Sequence, residues 1–185
     1  MKLELASFEH RVHIVQGQQH VDSDPQVVLT TILGSCVAAC LWDAQGGVGG
    51  MNHFLLPGER RPSNGLGVSQ CKGVHLMELL VNALLRQGAQ RQRLQAKLFG
   101  GARMIRGLTD IGDMNAAFAE RFLRDEGIAI VGGSLRGEFG RRIQFWPATG
   151  RARQTLIGQK TAIFEEERRI ARRQSARAAG SVEFF

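Results

Sequence analysis

The chain has 185 residues, of which 43% are hydrophobic and 22% charged, with a formal net charge of +7. That length fits one domain with room for a proper core, and no apolar run approaches the ~18 residues of a membrane-spanning helix. The opening residues, Met1 to His10, mix charge with apolar side chains, which excludes a secretory signal, and three cysteines without paired spacing exclude a disulfide framework. Free thiols in a cytoplasmic protein are the expectation.

Residues 11–20 read as a short strand and turn. Val27 to Leu33 is β-branched and apolar between Asp24-Pro25 and Gly34, a strand. Val37 to Trp42 is a second, ended by the turn Asp43-Ala44-Gln45-Gly46-Gly47, and Val48 to Leu56 a third, closed by Pro57-Gly58. The polar stretch from Glu59 to Gly67 reads as a mobile loop. Val74, Met77, Leu80, Val81, Leu84 and Leu85 form a helical stripe over 74–86, with Gly88 as its stop. Leu94 to Phe99 is a strand running into Gly100-Gly101. Ile111 to Glu126 is a helix with Asp113 or Asn115 near its start and Gly127 past its end. Ile128–Val131, Arg141–Trp146 and Arg153–Ile157 are strands, broken by Gly132-Gly133 and by Pro147-Ala148-Thr149-Gly150. Thr161 to Arg177 reads as a last helix. The order predicts an α/β (α+β) fold, a layered sandwich with about three helices.

The charge is uneven. Residues 151–185 hold eight Arg/Lys against four Asp/Glu, a net +4 of the total +7, densest at Arg168, Arg169, Arg172, Arg173 and Arg177. A nucleic-acid surface is one reading. The preferred one is a solvated helix, with Glu165, Glu166 and Glu167 at its start and arginines toward its end, as the helix dipole favours. The chain has no tyrosine, and its phenylalanines are not interleaved with basic residues as stacking platforms are.

The chemistry concentrates in one pairing. Cys36 stands in Leu33-Gly34-Ser35-Cys36-Val37, and His53 follows seventeen residues later in Gly50-Met51-Asn52-His53-Phe54-Leu55-Leu56-Pro57. A thiol in a glycine-bounded turn and an imidazole on the next apolar segment are the two parts a cysteine hydrolase needs: the thiolate attacks a carbonyl carbon, and the imidazole takes and returns the proton. Such a turn also offers backbone N–H groups to an oxyanion. A lone cysteine is more often a small core residue. Cys40 fits that role, since on a strand it lies roughly 13 Å from Cys36 at ~3.3 Å per residue, beyond disulfide or shared-metal reach. Cys71 has no assigned role. Thr30 or Thr31 is placed to orient the imidazole as the third member of a triad, and strand reading alone leaves both open.

Other chemistries fail on spacing. Ser35 lacks the second glycine of G-x-S-x-G. Gly47-Val48-Gly49-Gly50 lacks the third glycine of a dinucleotide loop, and no Walker sequence occurs. His10, His13 and His20 have no cysteine or acidic helix motif beside them, so no metal is expected. His75 reads as structural or exposed, and no cofactor is called for.

The segments 30–38 and 50–57, with Gly88-Ala89, Leu94 to Ala102, Ile111-Gly112 with Asn115, and Trp146-Pro147-Ala148-Thr149-Gly150, resemble CheD, the chemoreceptor glutamine deamidase family of bacterial chemotaxis. The resemblance covers roughly residues 10–158 and divides the chain into a deamidase domain, 1–158, and a basic C-terminal helix and tail, 159–185. It implies a layered sandwich related to cysteine deamidase toxins, with Cys36 as nucleophile, His53 as base and acid, and Thr30, six residues before the cysteine, as the orienting residue. Ser35, Asn52, Gly100 and Gly101 are the implied oxyanion or substrate-cleft positions. The implied reaction converts receptor glutamine side chains to glutamate and ammonia without a cofactor. The implied partners are methyl-accepting chemoreceptors and a CheC-type phosphatase, with no nucleic acid and no membrane insertion. The family's Arg-Tyr pair before the first helix is replaced here by Cys71-Lys72. A regulatory binding module with little catalysis is the alternative, and a fast-alkylating Cys36 would discriminate against it.

Overall fold

The structure, a computed structural model, describes residues 9–56, 68–103 and 111–158, with the backbone alone for 68–72. The expectations for the loop at 59–67, for the Cys71-Lys72 side chains and for the basic segment 159–185 lie outside the described residues. Within them the chain runs β1 (His10–His13), β2 (Gln19–Asp22), β3 (Val27–Leu33), β4 (Val37–Asp43), β5 (Val48–Asn52), α1 (Val68–Arg86), a 3₁₀ turn (Arg91–Arg93), β6 (Gln95–Gly100), α2 (Ile111–Asp125), β7 (Ala129–Leu135), β8 (Gly140–Trp146) and β9 (Arg151–Ile157).

Two mixed sheets form. One has the order β1-β3-β8-β9, the other β2-β5-β4-β6-β7. β1 runs parallel to β3 and β7 parallel to β6, while the remaining pairs are antiparallel. The layered α+β sandwich expected from the sequence is therefore present.

Strand β4 shows why its sequence is apolar without alternation. Val37, Ala39 and Leu41 point into a core shared with α1 and α2, through Met77, Leu80, Leu84, Phe118 and Leu123. Ala38, Cys40 and Trp42 point into a second core between the sheets, with Leu29, Leu33, Met51, Ile143 and Phe145. A strand buried on both faces has no polar side to show. The layers are thus helices, five-stranded sheet, four-stranded sheet, with the Trp42 and Phe145 rings meeting between the sheets at 6.2 Å.

Three boundaries differ from the sequence reading. β5 ends at Asn52, and beyond it Phe54 makes an isolated bridge to Val37. α1 begins at Val68, six residues before its apolar stripe. β7 continues through Gly132 and Gly133 to Leu135. Gly133 holds φ 130° there, and a Cβ would stand 2.0 Å from the Leu98 carbonyl oxygen. The glycine lets β7 lie against β6 instead of ending it.

Candidate active site

The turn that carries Cys36 is held by its carbonyls. After β3 the chain turns at Gly34 and Ser35 and enters β4 at Val37. The Gly34 carbonyl accepts from Ala102 N–H at 2.8 Å and the Cys36 carbonyl from Gly101 N–H at 2.7 Å. The Ser35 carbonyl accepts from Asn115 Nδ2 at 3.0 Å. Gly100 lies so close beneath that an added Cβ would stand 2.1 Å from the Cys36 carbonyl oxygen.

Asn115, fully buried on α2, joins this turn to the histidine segment. Its Oδ1 accepts from Leu56 N–H at 2.8 Å while its Nδ2 also donates to the Ile111 carbonyl at 2.8 Å. One side chain thus braces the chain on both sides of the site.

His53 follows β5, and the 14–18 loop clamps its backbone. His53 N–H donates to the Gln18 carbonyl at 3.0 Å, and Gly17 N–H donates to the His53 carbonyl at 2.7 Å. The antiparallel bridge Val37↔Phe54 sets the facing of the side chains. Val37 and Phe54 point to the helices, so Cys36 and His53 point the other way, with Ala38, Cys40 and Met51. Cys36 and His53 are then diagonal neighbours on one face, a relation that long side chains span.

The imidazole is oriented by Thr31. Its hydroxyl lies 2.7 Å from the Ile14 carbonyl and 2.9 Å from His53 Nδ1. A carbonyl only accepts, so the hydroxyl proton goes to Ile14, and the Thr31 oxygen accepts from Nδ1–H. The Ile14 carbonyl itself lies 3.5 Å from Nδ1. Nε2 is therefore the unprotonated nitrogen. It is buried and has no hydrogen-bond partner among the described residues. Burial pushes the His53 pKa down to about 4, against the opposing pull of the Ile14 carbonyl. A neutral imidazole with a bare Nε2 is the form a general base needs.

Thr30 is not that partner. In a strand successive side chains face opposite ways, and Thr31 shares its parity with Val27, Leu29 and Leu33, all in the inter-sheet core. Thr30 stands on the other face, buried, and its carbonyl accepts from Ile14 N–H at 2.8 Å. The hydroxyl that meets His53 thus lies five residues before the cysteine, not six.

The remaining expected positions divide. Ser35 is half-buried on the turn itself. Asn52 points away from the site: Oδ1 accepts from Ala39 N–H at 3.1 Å, and Nδ2 donates to the Leu76 carbonyl and to Met77 Sδ, both at 3.3 Å. It is buried against α1 and cannot line a cleft. Gly101 spends its N–H on the Cys36 carbonyl, so it holds the turn and has no donor for an oxyanion, while Gly100 supplies the close approach beneath it. Cys40 is wholly buried, and burial raises its thiol pKa far above the ordinary value.

Two residues were missed. Asn115, read as a helix-start residue, is a buried polar side chain inside a helix. Gln16, on the exposed loop after β1, accepts from Cys36 Sγ through Oε1 at 3.6 Å; nothing in its local sequence marks it. Among the described residues no group of three His, Cys, Asp or Glu side chains converges to hold a metal ion.

The model of the CheD family, described as CheD chemotactic sensory transduction, matches residues 55–155. The protein named "Probable chemoreceptor glutamine deamidase CheD" from Acidiphilium cryptum (strain JF-5) is 58% identical over 96% of this chain and 95% of its own. The protein of the same name from Rhizobium etli (strain CIAT 652) is 54% identical over 95% of this chain and 96% of its own. Among solved structures, the Bacillus licheniformis hypothetical protein YfiH overlaps at TM-score 0.42 and 14% identity, over 63% of this chain and 49% of that one, too distant to bear on the site. The near full-length identity to these curated relatives, with the family model across 55–155, places the chain in the CheD family.

Proposed function

We propose that this protein is a protein-glutamine deamidase acting on chemoreceptors, with Cys36 as nucleophile, His53 as base and acid, and Thr31 as the residue that orients His53. The observation that carries the reading is the Thr31 hydroxyl, 2.7 Å from the Ile14 carbonyl and 2.9 Å from His53 Nδ1, which assigns the proton to Nδ1 and leaves Nε2 without a partner among the described residues. The substrate class rests on the names of the relatives.

The chemistry follows from that arrangement. Nε2 takes the Cys36 thiol proton, and the thiolate attacks the carbon of a glutamine carboxamide, whose C=O electron pair moves to oxygen. As the tetrahedral intermediate collapses, the C–N bond breaks and the imidazolium returns its proton to nitrogen, which leaves as ammonia. Water, deprotonated by Nε2, then attacks the thioester; the C–S bond breaks and the products are a glutamate side chain and the restored thiol. The net reaction consumes one water and releases one ammonia.

No helix among the described residues is long and apolar enough to cross a membrane. The target glutamines of a chemoreceptor would be met on its cytoplasmic helices, and the cytoplasm is where this protein would act on them. A CheC-type phosphatase is the further partner implied by family resemblance, and its addition to the assay below would change the rate.

The test is incubation of a receptor cytoplasmic fragment with wild-type protein or Cys36→Ala, with peptide mass spectra read for glutamine-to-glutamate conversion. Conversion by the wild type alone supports the reading. Conversion by both, or by neither, overturns it.

A further inference from the structure

A tetrahedral intermediate at Cys36 carries a full negative charge on the former carbonyl oxygen, and a donor must stand about 2.7–3.1 Å from it. Four backbone donors beside Cys36 are committed elsewhere. Val37 N–H, immediately after the cysteine, donates to the Phe54 carbonyl at 3.0 Å. Gly101 and Ala102 N–H hold the Cys36 and Gly34 carbonyls, and Ala39 N–H donates to Asn52 Oδ1. The glycine-rich positions that sequence suggests for an oxyanion site therefore hold the turn instead.

Among the described residues, the Gln16 side-chain amide faces the sulfur. Gln16 extends from the 14–18 loop, and its carboxamide meets Cys36 Sγ at 3.6 Å. The same loop supplies the Ile14 carbonyl to the Thr31–His53 pair and clamps the His53 backbone through Gly17 and Gln18. Gln16 is itself exposed, so its terminal amide is free to turn over. A carboxamide presents an acceptor on one side and two N–H donors on the other, interchanged by a half-turn of the terminal torsion.

From the juxtaposition of the Gln16 carboxamide with Cys36 Sγ, we propose that Gln16 is the oxyanion donor of this site. While the cysteine is a thiol it donates to Gln16 Oε1. Once its proton has passed to His53 and Sγ is bonded to the substrate carbon, Oε1 has lost its donor and faces growing negative charge. The amide turns, and Nε2–H donates to the oxyanion. No covalent bond to Gln16 forms or breaks, and its proton stays on nitrogen. The inference rests on Cys36 being the nucleophile, as in the proposed function, and goes beyond it by assigning a residue to transition-state charge.

The test uses two reagents for the same sulfur. Acylation by 4-nitrophenyl acetate passes through a tetrahedral oxyanion, whereas alkylation by iodoacetamide is a displacement at a methylene carbon and makes none. Both are followed on the Cys36 peptide by mass spectrometry, in wild type, Gln16→Ala and Gln16→Glu. Acylation is expected to fall about 10²-fold in both variants, with alkylation within about 3-fold of wild type for the uncharged Gln16→Ala. On the receptor fragment, kcat should fall by a similar factor with KM nearly unchanged. Equal losses in acylation and alkylation, or no loss in acylation, would overturn the assignment. Gln16→Ala raising KM alone would make Gln16 a substrate contact and overturn it too. An acylation-specific loss without deamidation of the receptor fragment by wild type would support Gln16 as the donor and remove the chemoreceptor reading.

Discussion

The Thr31 hydroxyl and His53 Nδ1 stand 2.9 Å apart, and the Ile14 carbonyl on the far side of the hydroxyl decides the direction of that bond. Its proton is taken by Ile14, so the threonine can only accept from the histidine. A neutral chain of carbonyl, hydroxyl and imidazole thereby fixes a tautomer that in other hydrolases is fixed by a carboxylate.

Thr31→Val keeps the shape of the strand and removes both bonds. We expect it to lower kcat for deamidation about 10²-fold, because the imidazole loses its tautomer and ring orientation. Thr31→Ser should restore most of the activity, and Thr30→Val should stay within about 3-fold of wild type. A large loss in Thr30→Val with little in Thr31→Val would return the orienting role to Thr30.

How this pair reads in the sequence shows what a linear pattern carries. The strand containing both threonines is plain from Val27 to Leu33, as are Cys36 in its glycine turn and His53 on the next segment. Which threonine faces His53 depends on the strand's phase against a core that only the folded sheets define, and a shift of one residue exchanges the faces. Gln16 and Asn115 are illegible for another reason. Each reaches the site across a long gap in the chain, twenty residues from Gln16 to Cys36 and eighty from Asn115 to Ser35. Gly132-Gly133 misleads in the opposite sense: the same residues that end strands elsewhere allow a close parallel approach here.

Asn115 is expected to be the most sensitive polar position outside the proposed reacting groups. Asn115→Ala leaves Leu56 N–H and the Ser35 carbonyl without their partner in a buried place, which costs about 2–4 kcal/mol. Asn115→Asp keeps an acceptor for Leu56 but cannot donate to Ser35 or Ile111, and should lose as much. Urea unfolding gives the stability. Iodoacetamide labelling of Cys36 in the folded variant reports whether the turn has moved. Unchanged stability in both variants would show that the brace contributes nothing.

The buried imidazole predicts a pH dependence with a definite sign. His53 binds a proton less readily in the fold, at about 4, than at its ordinary value of 6.5. Between those values the unfolded chain binds more protons, so stability falls as pH falls through this window and is unaffected above it. Relative to His53→Gln, which does not titrate, the wild type should lose about 3 kcal/mol between pH 7 and pH 4, at ~1.4 kcal/mol per unit. Parallel stability curves for the two proteins would mean that the imidazole is open to water.

Asp43 makes the opposite prediction. Its carboxylate is fully buried at the β4–β5 turn, where Arg93 Nη2 lies 2.7 Å from Oδ2 and the N–H groups of Gln45, Gly46 and Gln90 also donate to it. The Arg93 hydrogen bond, with those of Gln90 and Gly46, holds its pKa well below the ordinary carboxylate range despite the burial that opposes it. A carboxyl that ionises more readily folded than unfolded adds stability above its unfolded value, near ~4, and loses it as pH falls further. Asp43→Asn keeps the outline, removes the charge and turns an N–H group toward donors, so it should cost about 2–4 kcal/mol at pH 7. That gap should be constant from pH 8 to about pH 5 and narrow below pH 4, as the wild-type carboxylate takes up its proton. Since Asp43 lies at the far end of β4 from Cys36, kcat in the folded Asp43→Asn fraction should equal that of wild type. A gap that widens in acid would show that the Asp43–Arg93 pair is not what holds this turn.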